Sequence, residues 1–175
     1  KDGTMLHDAE MFPTTGDELD ARGWDACDVI IVSGDAWMDT PTVDTARVAR
    51  LLEDAGYRVG VIDQPDWRSA DDFQRLGCPR LFFAVTGGVR ESQLARLNLS
   101  KEPRESDPYS PGGKTGRRPD RAPIVYSNRL RESFGAVPVV LFGLESSLRC
   151  LPHYDFWQDR VRRSFLMDGK ADAVV

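Results

Sequence analysis

Short apolar runs rich in β-branched residues recur along the chain, and each is followed by turn residues and then by a helical pattern. Short, continuous runs of this kind are typical of strands that are buried on both faces of a parallel sheet. The alternation predicts an α/β fold with a doubly wound, mainly parallel five-stranded sheet, in a flavodoxin-like or cobalamin-binding-domain-like arrangement. The predicted strands are 28–33, 57–62, 81–86, 137–142 and 171–175.

Helix signals fill the intervals between these strands. Thr15 and Glu18 have the spacing of a capping box, which predicts a short helix that ends near Gly23. Trp157 and Val161 are four residues apart, as on one face of an amphipathic helix. The other predicted helices are 41–56, 70–76, 89–98 and 122–134, and the last one is 156–166.

The pattern divides the chain into an N-terminal extension with a short helix, residues 1–24, and a single α/β domain, residues 25–175. Between 99 and 121 the strand–helix rhythm is interrupted by prolines, glycines and basic residues, which predict a long surface loop. The last predicted strand is still apolar at Val175, so we expect more protein beyond this residue.

Composition excludes several classes of protein. The 175 residues carry a net charge of −5, which argues against a nucleic-acid footprint over the whole surface. No apolar run has the length of a membrane span, and the first ten residues lack the core of a signal peptide. The three cysteines are far apart in sequence, which predicts free thiols in a reducing, cytoplasmic location without membrane contact.

Familiar catalytic and metal-binding motifs are missing. Gly113-Lys-Thr115 resembles the end of a phosphate-binding loop, but Pro108 stands where that motif requires glycine. No G-x-G-x-x-G follows the first strand, and no G-x-S-x-G is present. With only His7 and His153 available, a histidine metal site is not predicted. We therefore predict neither a catalytic set nor a metal site within this chain.

Polar residues and glycines follow four of the predicted strands. The carboxyl ends of parallel strands meet at one edge of the sheet, where ligands bind in such folds. The same residue types also cap helices, so each has a purely structural alternative. The carboxylates suit a polar ligand, a cation or a basic neighbouring surface. We call the following residues the carboxyl-edge set: Gly34, Asp35, Asp39, Asp63, Gln64, Asp66, Trp67, Thr86, Gly87, Gly88, Gly143, Glu145, Ser146 and Ser147.

The loop at 99–121 concentrates basic side chains. It can be a solvated loop, or it can contact RNA, a phosphate-bearing ligand or the rest of its own chain. The basic residues are Lys101, Arg104, Lys114, Arg117, Arg118 and Arg121.

Five ordered segments resemble the N-terminal region of the YgiQ family of radical S-adenosylmethionine proteins, over about Phe12 to Val175. The segments are Gly34-Asp-Ala-Trp-Met-Asp-Thr-Pro41, Gln64-Pro-Asp-Trp67, Arg118-Pro-Asp-Arg-Ala122, Gly143-Leu-Glu-Ser-Ser-Leu-Arg149 and His153-Tyr-Asp-Phe-Trp-Gln-Asp-Arg-Val-Arg-Arg-Ser164. The chain departs from the family at Thr40, where a histidine is common, and at Phe142, Leu144 and Ser146.

The resemblance implies that the full-length protein continues into a radical-SAM barrel, where a C-x-x-x-C-x-x-C loop holds a 4Fe-4S cluster and S-adenosylmethionine. This chain lacks that motif, so no cofactor is expected within it. It also lacks the D-x-H-x-x-G loop that binds cobalamin. The implied role is an accessory domain that caps the barrel or helps to bind an unknown substrate, with the barrel of its own chain as partner.

Arg118, Arg121 and His153 fall in the resembling segments and join the carboxyl-edge set as candidates for ligand binding or a domain interface. The full-length protein would be the enzyme, and this domain alone would not be catalytic. The alternative is an independent flavodoxin-like module that binds a small ligand or cofactor. A third alternative, contact with RNA, depends on the basic loop.

Overall fold

A five-stranded parallel sheet organises the chain in the computed structural model, which describes residues 11–37 and 43–175. The sheet has the order β2-β1-β3-β4-β7, the flavodoxin-like order, so the predicted fold class is confirmed. Its strands are β1 Val29–Ser33, β2 Val59–Asp63, β3 Phe82–Thr86, β4 Val139–Leu141 and β7 Ala173–Val174.

Helices of unequal length connect these strands. They are α1 Gly16–Ala21, α2 Val43–Asp54, α3 Ser92–Arg96, α4 Ala122–Phe134, α5 Leu144–Leu148 and α6 Phe165–Asp168, with 3-10 turns at Asp71–Gln74 and Pro111–Gly113. The predicted capping box is confirmed, because Thr15 accepts from the backbone of Glu18 while the Glu18 side chain accepts from the Thr15 backbone. None of the helices in the described ranges is long and apolar enough to cross a membrane.

Each face of the sheet has its own apolar core. On the first, which we call the α4 face, Ile30, Phe83 and Leu141 pack against α4, α6 and the 3-10 turn Asp71–Gln74. On the second, the α2 face, Val29, Ile31 and the residues around them pack against α2. β1 is buried along its whole length, as the continuous apolar run predicts.

The structure shortens two of the predicted helices. The segment 70–76 forms a single 3-10 turn at Asp71–Gln74, and the helix expected at 89–98 is reduced to Ser92–Arg96. Both segments lie in tight connections: Leu97 already has an extended backbone, and the Arg104 amide bonds to the Arg96 carbonyl.

The predicted helix at 156–166 is wrong. Residues 153–162 form an antiparallel hairpin, β5 His153–Asp155 and β6 Arg160–Arg162, before α6 begins. The Asp155 carboxylate accepts from the Gln158 amide, and Asp159 has a φ of 53°, so the chain reverses direction here. The two aspartates favour a turn more strongly than the apolar spacing of this segment favours a helix. The helical periodicity was therefore misleading.

Candidate functional site

The carboxyl edge contains a topological switch point between β1 and β3, because the chain passes from β1 to β2 on one side and returns to β3 on the other. In open α/β sheets this crevice is where ligands bind. Here the guanidinium of Arg118 fills it. Arg118 Nη1 donates to the Gly87 carbonyl at 2.8 Å, and the side chain is 1% exposed.

Two carboxylates surround the Arg118 guanidinium. Arg118 Nη1 lies 2.9 Å from Asp35 Oδ1, and Arg118 Nη2 lies 3.3 Å from Asp107 Oδ2. All three side chains are almost fully buried. A buried charge of this kind is tolerated because its partners stay in place, and the loss of one partner is costly. Arg118 therefore fixes the loop that carries it to the ends of β1 and β3.

The same loop is held by uncharged contacts. The Ala36 amide donates to the Tyr109 carbonyl at 3.0 Å. Gln64 Nε2 donates to Ser110 Oγ at 2.7 Å and to the Gly34 carbonyl at 3.1 Å. These bonds connect the loop to the ends of both β1 and β2, so the crevice is closed by the chain itself.

Glycine is needed where β1 and β3 end. A Cβ added to Gly34 would lie 2.3 Å from the Gly87 carbonyl oxygen, and one added to Gly87 would lie 2.3 Å from Glu145 Oε2. The backbones and the Glu145 carboxylate therefore pack closer than any side chain would allow. In this structure the glycines give close approach to protein atoms, whereas the sequence had suggested close approach to a ligand.

Glu145 lies in the first turn of α5, and its side chain is buried. Its Oε2 accepts from the Ser92 amide at 3.0 Å and from the Ser92 hydroxyl. Arg149 Nη1 is 3.8 Å from Glu145 Oε1, too far for a hydrogen bond. Burial raises the pKa of Glu145 to about 7, against the opposing effect of the Ser92 hydrogen bond. Burial therefore favours the protonated form of the Glu145 carboxyl.

Burial acts in the same direction on two neighbouring groups. It raises the pKa of Asp35, although Arg118 opposes the shift. It also raises the pKa of Tyr126, whose hydroxyl is buried without a hydrogen-bond partner among the described residues. The charges of Arg118, Asp35 and Glu145 all act on Tyr126. These four side chains therefore form a single buried polar cluster at the carboxyl edge.

The carboxylates after β2 lie apart from this buried group. Asp63 pairs with Arg75 at 2.7 Å and also accepts from the Trp37 amide. Asp66 is exposed and pairs with Arg68. Hydrogen bonds from the backbone and side chain of Arg68 lower the pKa of the Asp66 carboxyl. The predicted carboxylates among the described residues therefore fall into two groups. Asp35 and Glu145 are buried, whereas Asp63 at the end of β2 and Asp66 just after it are ion-paired.

Other predicted site residues have mainly local contacts. Thr86 Oγ1 accepts from the Gly88 amide, and the Trp67 carbonyl accepts from Arg129 Nε at 2.9 Å. The Ser146 hydroxyl is buried without a partner among the described residues. Gly143 is the N-cap of α5. Asp39 lies outside the described residues.

Basic residues of the 99–121 loop contact their own chain. Arg104 Nε donates to the carbonyls of Leu94 and Leu97, and Arg121 pairs with buried Asp155 at 2.6 Å. A solvated loop is therefore the wrong description for Arg118 and Arg121. Lys114 and Arg117 are exposed, and RNA contact through them stays a prediction.

His153 is the first residue of β5 in the hairpin. Its Nδ1 is 3.1 Å from the Leu151 carbonyl, and its ring packs edge-on against Phe165. These contacts pack the His153 ring against α6, and a ligand role for His153 stays a prediction.

Sequence reasoning missed several residues of the edge. Glu91 accepts from Arg149 at 2.9 Å and from the Trp157 indole at 3.1 Å, joining α3 to α5 and to the hairpin turn. Asp107 and Ser92 were also missed. They lie in loops and short helices without periodicity, so no local signal marks them as partners of Arg118 and Glu145.

The described residues do not fit a metal cluster. Cys27 is buried while Cys78 and Cys150 are exposed, and all three are unpaired. Within the ranges that the structure describes, no group of three His, Cys, Asp or Glu side chains is placed to hold a metal ion.

Comparison with known sequences identifies the family. The family described as Radical SAM N-terminal matches residues 11–175. The chain belongs to this family. The predicted resemblance to the N-terminal region of radical-SAM proteins is therefore confirmed.

The Radical SAM N-terminal chain is similar to UPF0313 proteins from several bacteria. It is 52% identical to one from Pseudomonas aeruginosa over 167 residues, which are 95% of this chain and 22% of the relative. It is 50% identical to one from Rhodopseudomonas palustris and 51% identical to one from Vibrio cholerae, covering 25% and 21% of them and 95% of this chain. The chain thus spans about a quarter or less of these relatives. No solved structure matches it significantly.

Proposed function

We propose that this Radical SAM N-terminal chain is a non-catalytic accessory domain of a longer radical-SAM protein. The observation that carries the proposal is the position of Arg118, which fills the crevice where a flavodoxin-like domain would hold its own ligand. A domain whose ligand crevice is closed acts through its outer surface.

The outer surface of the carboxyl edge suits contact with another domain. Leu144 and Leu148 are exposed on α5, next to a groove of about 360 Å³ that Arg90, Tyr109 and Arg149 help to line. A surface that combines apolar side chains with tyrosine and arginine is typical of protein–protein interfaces. The ion pairs beneath hold α3, α5 and the hairpin in fixed positions, so the surface is preorganised for a neighbour.

The chemistry of the longer protein would belong to its other part. A radical-SAM barrel would supply the cysteines for a 4Fe-4S cluster and the site for S-adenosylmethionine. The present chain would cap the barrel or help to enclose a substrate.

Anaerobic reconstitution of the full-length protein with iron and sulfide tests this proposal. We expect the visible absorbance of an iron–sulfur cluster and reductive cleavage of S-adenosylmethionine. Full-length protein carrying Cys27→Ala, Cys78→Ser and Cys150→Ser together is the matched variant, and it should retain both. A folded full-length protein without a cluster, or loss of the cluster in the matched variant, would contradict the proposal.

The second candidate function is an independent module that binds a small ligand. Only an opening of the 99–121 loop would give such a ligand access to the switch point. We therefore keep it as the second hypothesis, and the ligand panel at the end of the Discussion separates the two.

A further inference from the structure

The two faces of the sheet are covered unequally. Right-handed crossovers place α2 on one face, while the connections from β2 to β3, β3 to β4 and β4 to β7 fall on the other, because they run in the opposite direction along the sheet. Of the connections between strands, only the start of α5 reaches the α2 face of β4 and β7, through Leu144 and Ser147. Further cover for this face can come from chain before β1 or after β7.

The described chain before α1 lies at the opposite edge of the sheet. The Val61 amide of β2 donates to the Pro13 carbonyl at 2.9 Å, and Phe12 packs in the core beneath α2. β2 and β7 are the two outermost strands. The described part of the N-terminal segment thus covers the β2 side and does not cover β4 and β7.

An apolar groove marks the uncovered region. It has a volume of about 450 Å³ and lies between α2 and the ends of β4 and β7. Leu51 of α2 is 65% exposed on one wall, and Val175 is 74% exposed on the other. Phe142, Val48 and Leu144 complete the apolar lining, and Asp44 and Arg47 stand at the margin.

We propose that this groove, which we call the α2 groove, binds an amphipathic helix formed by the polypeptide that follows Val175 in the full-length protein. The proposal rests on the proposed function, since it needs a longer chain. Val175 is itself a wall of the groove, so the continuing chain starts inside it. The relatives have more than enough additional length to supply a helix.

The lining specifies the character of this helix. Leu51, Leu144 and Val175 require an apolar stripe, and Asp44 and Arg47 favour charged residues of both signs beside it. A helix in this position would complete the two-layer cover of the doubly wound sheet. A second copy of the chain is the less suitable occupant, because one short groove is small compared with the roughly 1,200–2,000 Å² that a stable interface buries.

Cysteine labelling of the full-length protein tests directly whether a helix covers the α2 groove. Leu51→Cys is a conservative change at an exposed position, and Leu99→Cys is the matched control, because Leu99 is 72% exposed and lies outside the α2 groove. If the helix is docked, maleimide should label Cys at position 51 about tenfold or more slowly than at 99, as judged by peptide mass spectrometry. Equal rates would overturn the proposal.

Photo-crosslinking identifies the occupant. Arg47 at the groove margin is replaced by a benzophenone amino acid in the full-length protein, and cross-linked peptides are sequenced. Cross-links to the residues that follow Val175 are expected. Cross-links to residues 1–10, to a second copy or to another protein would overturn the proposal.

Cluster formation and cleavage of S-adenosylmethionine are measured on the same Leu51→Cys protein. Normal chemistry with unprotected Cys at 51 would refute the docked helix alone. Protected Cys at 51 without cluster chemistry would refute the proposed function alone.

Discussion

The guanidinium of Arg118 lies between two buried carboxylates, and it also donates to backbone carbonyls at the end of β3. Removing it would leave Asp35 and Asp107 buried without their counter-charge. For Arg118→Ala we expect a loss of about 3–5 kcal/mol in the free energy of unfolding of the 175-residue chain. Urea denaturation measures this loss.

The adjacent residue provides the control for that variant. Arg117 is exposed, so Arg117→Ala should change the free energy of unfolding by no more than about 0.5 kcal/mol. Equal effects of the two substitutions would show that the crevice is not held by Arg118.

Glu145 makes stability depend on pH. Burial raises its pKa from 4.5 to about 7, so between these values the folded chain binds more protons than the unfolded chain. The contribution of Glu145 to stability is complete below pH 4.5 and is lost as the pH rises to about 7, by up to about 1.4 kcal/mol per pH unit. Asp35, whose pKa burial also raises, acts in the same direction.

Glu145→Gln keeps an oxygen for the Ser92 hydrogen bonds and cannot ionise. We expect a flatter dependence of the unfolding free energy on pH between 4.5 and 7, and a variant more stable than the original chain above pH 7. Urea denaturation at a series of pH values measures both. An unchanged slope would mean that Glu145 is ionised throughout.

At the residue scale, sequence reasoning found Asp35 and Glu145 because both follow strands. It could not find that they are buried, because their partners Arg118 and Ser92 are separated from them by 83 and 53 residues. Long-range ion pairs leave no periodic signal. The basic character of Arg118 was visible, but its burial was not.

At the scale of elements, the accuracy of prediction followed the strength of the local signal. α4 was predicted with its observed bounds, since it has a long apolar stripe and ends at Gly135. β1 and β3 were predicted within one residue, because continuous apolar runs leave few alternatives. The β5–β6 hairpin was missed because its spacing imitates a helix, whereas Asp155 and Asp159 determine a turn.

The ends of β1 and β3 approach each other closely at Gly34. Gly34→Ala would place a methyl group 2.3 Å from the Gly87 carbonyl oxygen, where backbone must move. We expect a loss of about 1–3 kcal/mol in the free energy of unfolding, as for other overpacked sites. Chemical denaturation measures it.

Gly16→Ala is the matched control for this substitution. Its added Cβ meets the Arg75 carbonyl oxygen at 3.7 Å, an ordinary contact, and the residue lies at the start of α1. It should be neutral or slightly stabilising. A Gly34→Ala variant as stable as Gly16→Ala would contradict the close packing at the switch point.

At the scale of the whole molecule, the doubly wound parallel sheet followed from the sequence because right-handed crossovers between alternating strands and helices leave few topologies. The same reasoning predicted where the polar strand ends would meet. It predicted an open site there, since the loop at 99–121 has no element signal that would place it. The loop returns across the sheet through Arg118, Tyr109 and Ser110, and thereby converts a ligand crevice into a closed edge.

Thermal unfolding of the 175-residue chain with a panel of ligands tests the closed edge most directly. The panel contains cobalamins, flavin mononucleotide, adenine nucleotides, S-adenosylmethionine and divalent cations, each at a concentration well above that of the protein. We predict an unchanged Tm with every ligand, because Arg118 occupies the switch point. A concentration-dependent rise in Tm with any of them, lost when that ligand is removed, would contradict the account and favour an independent binding module.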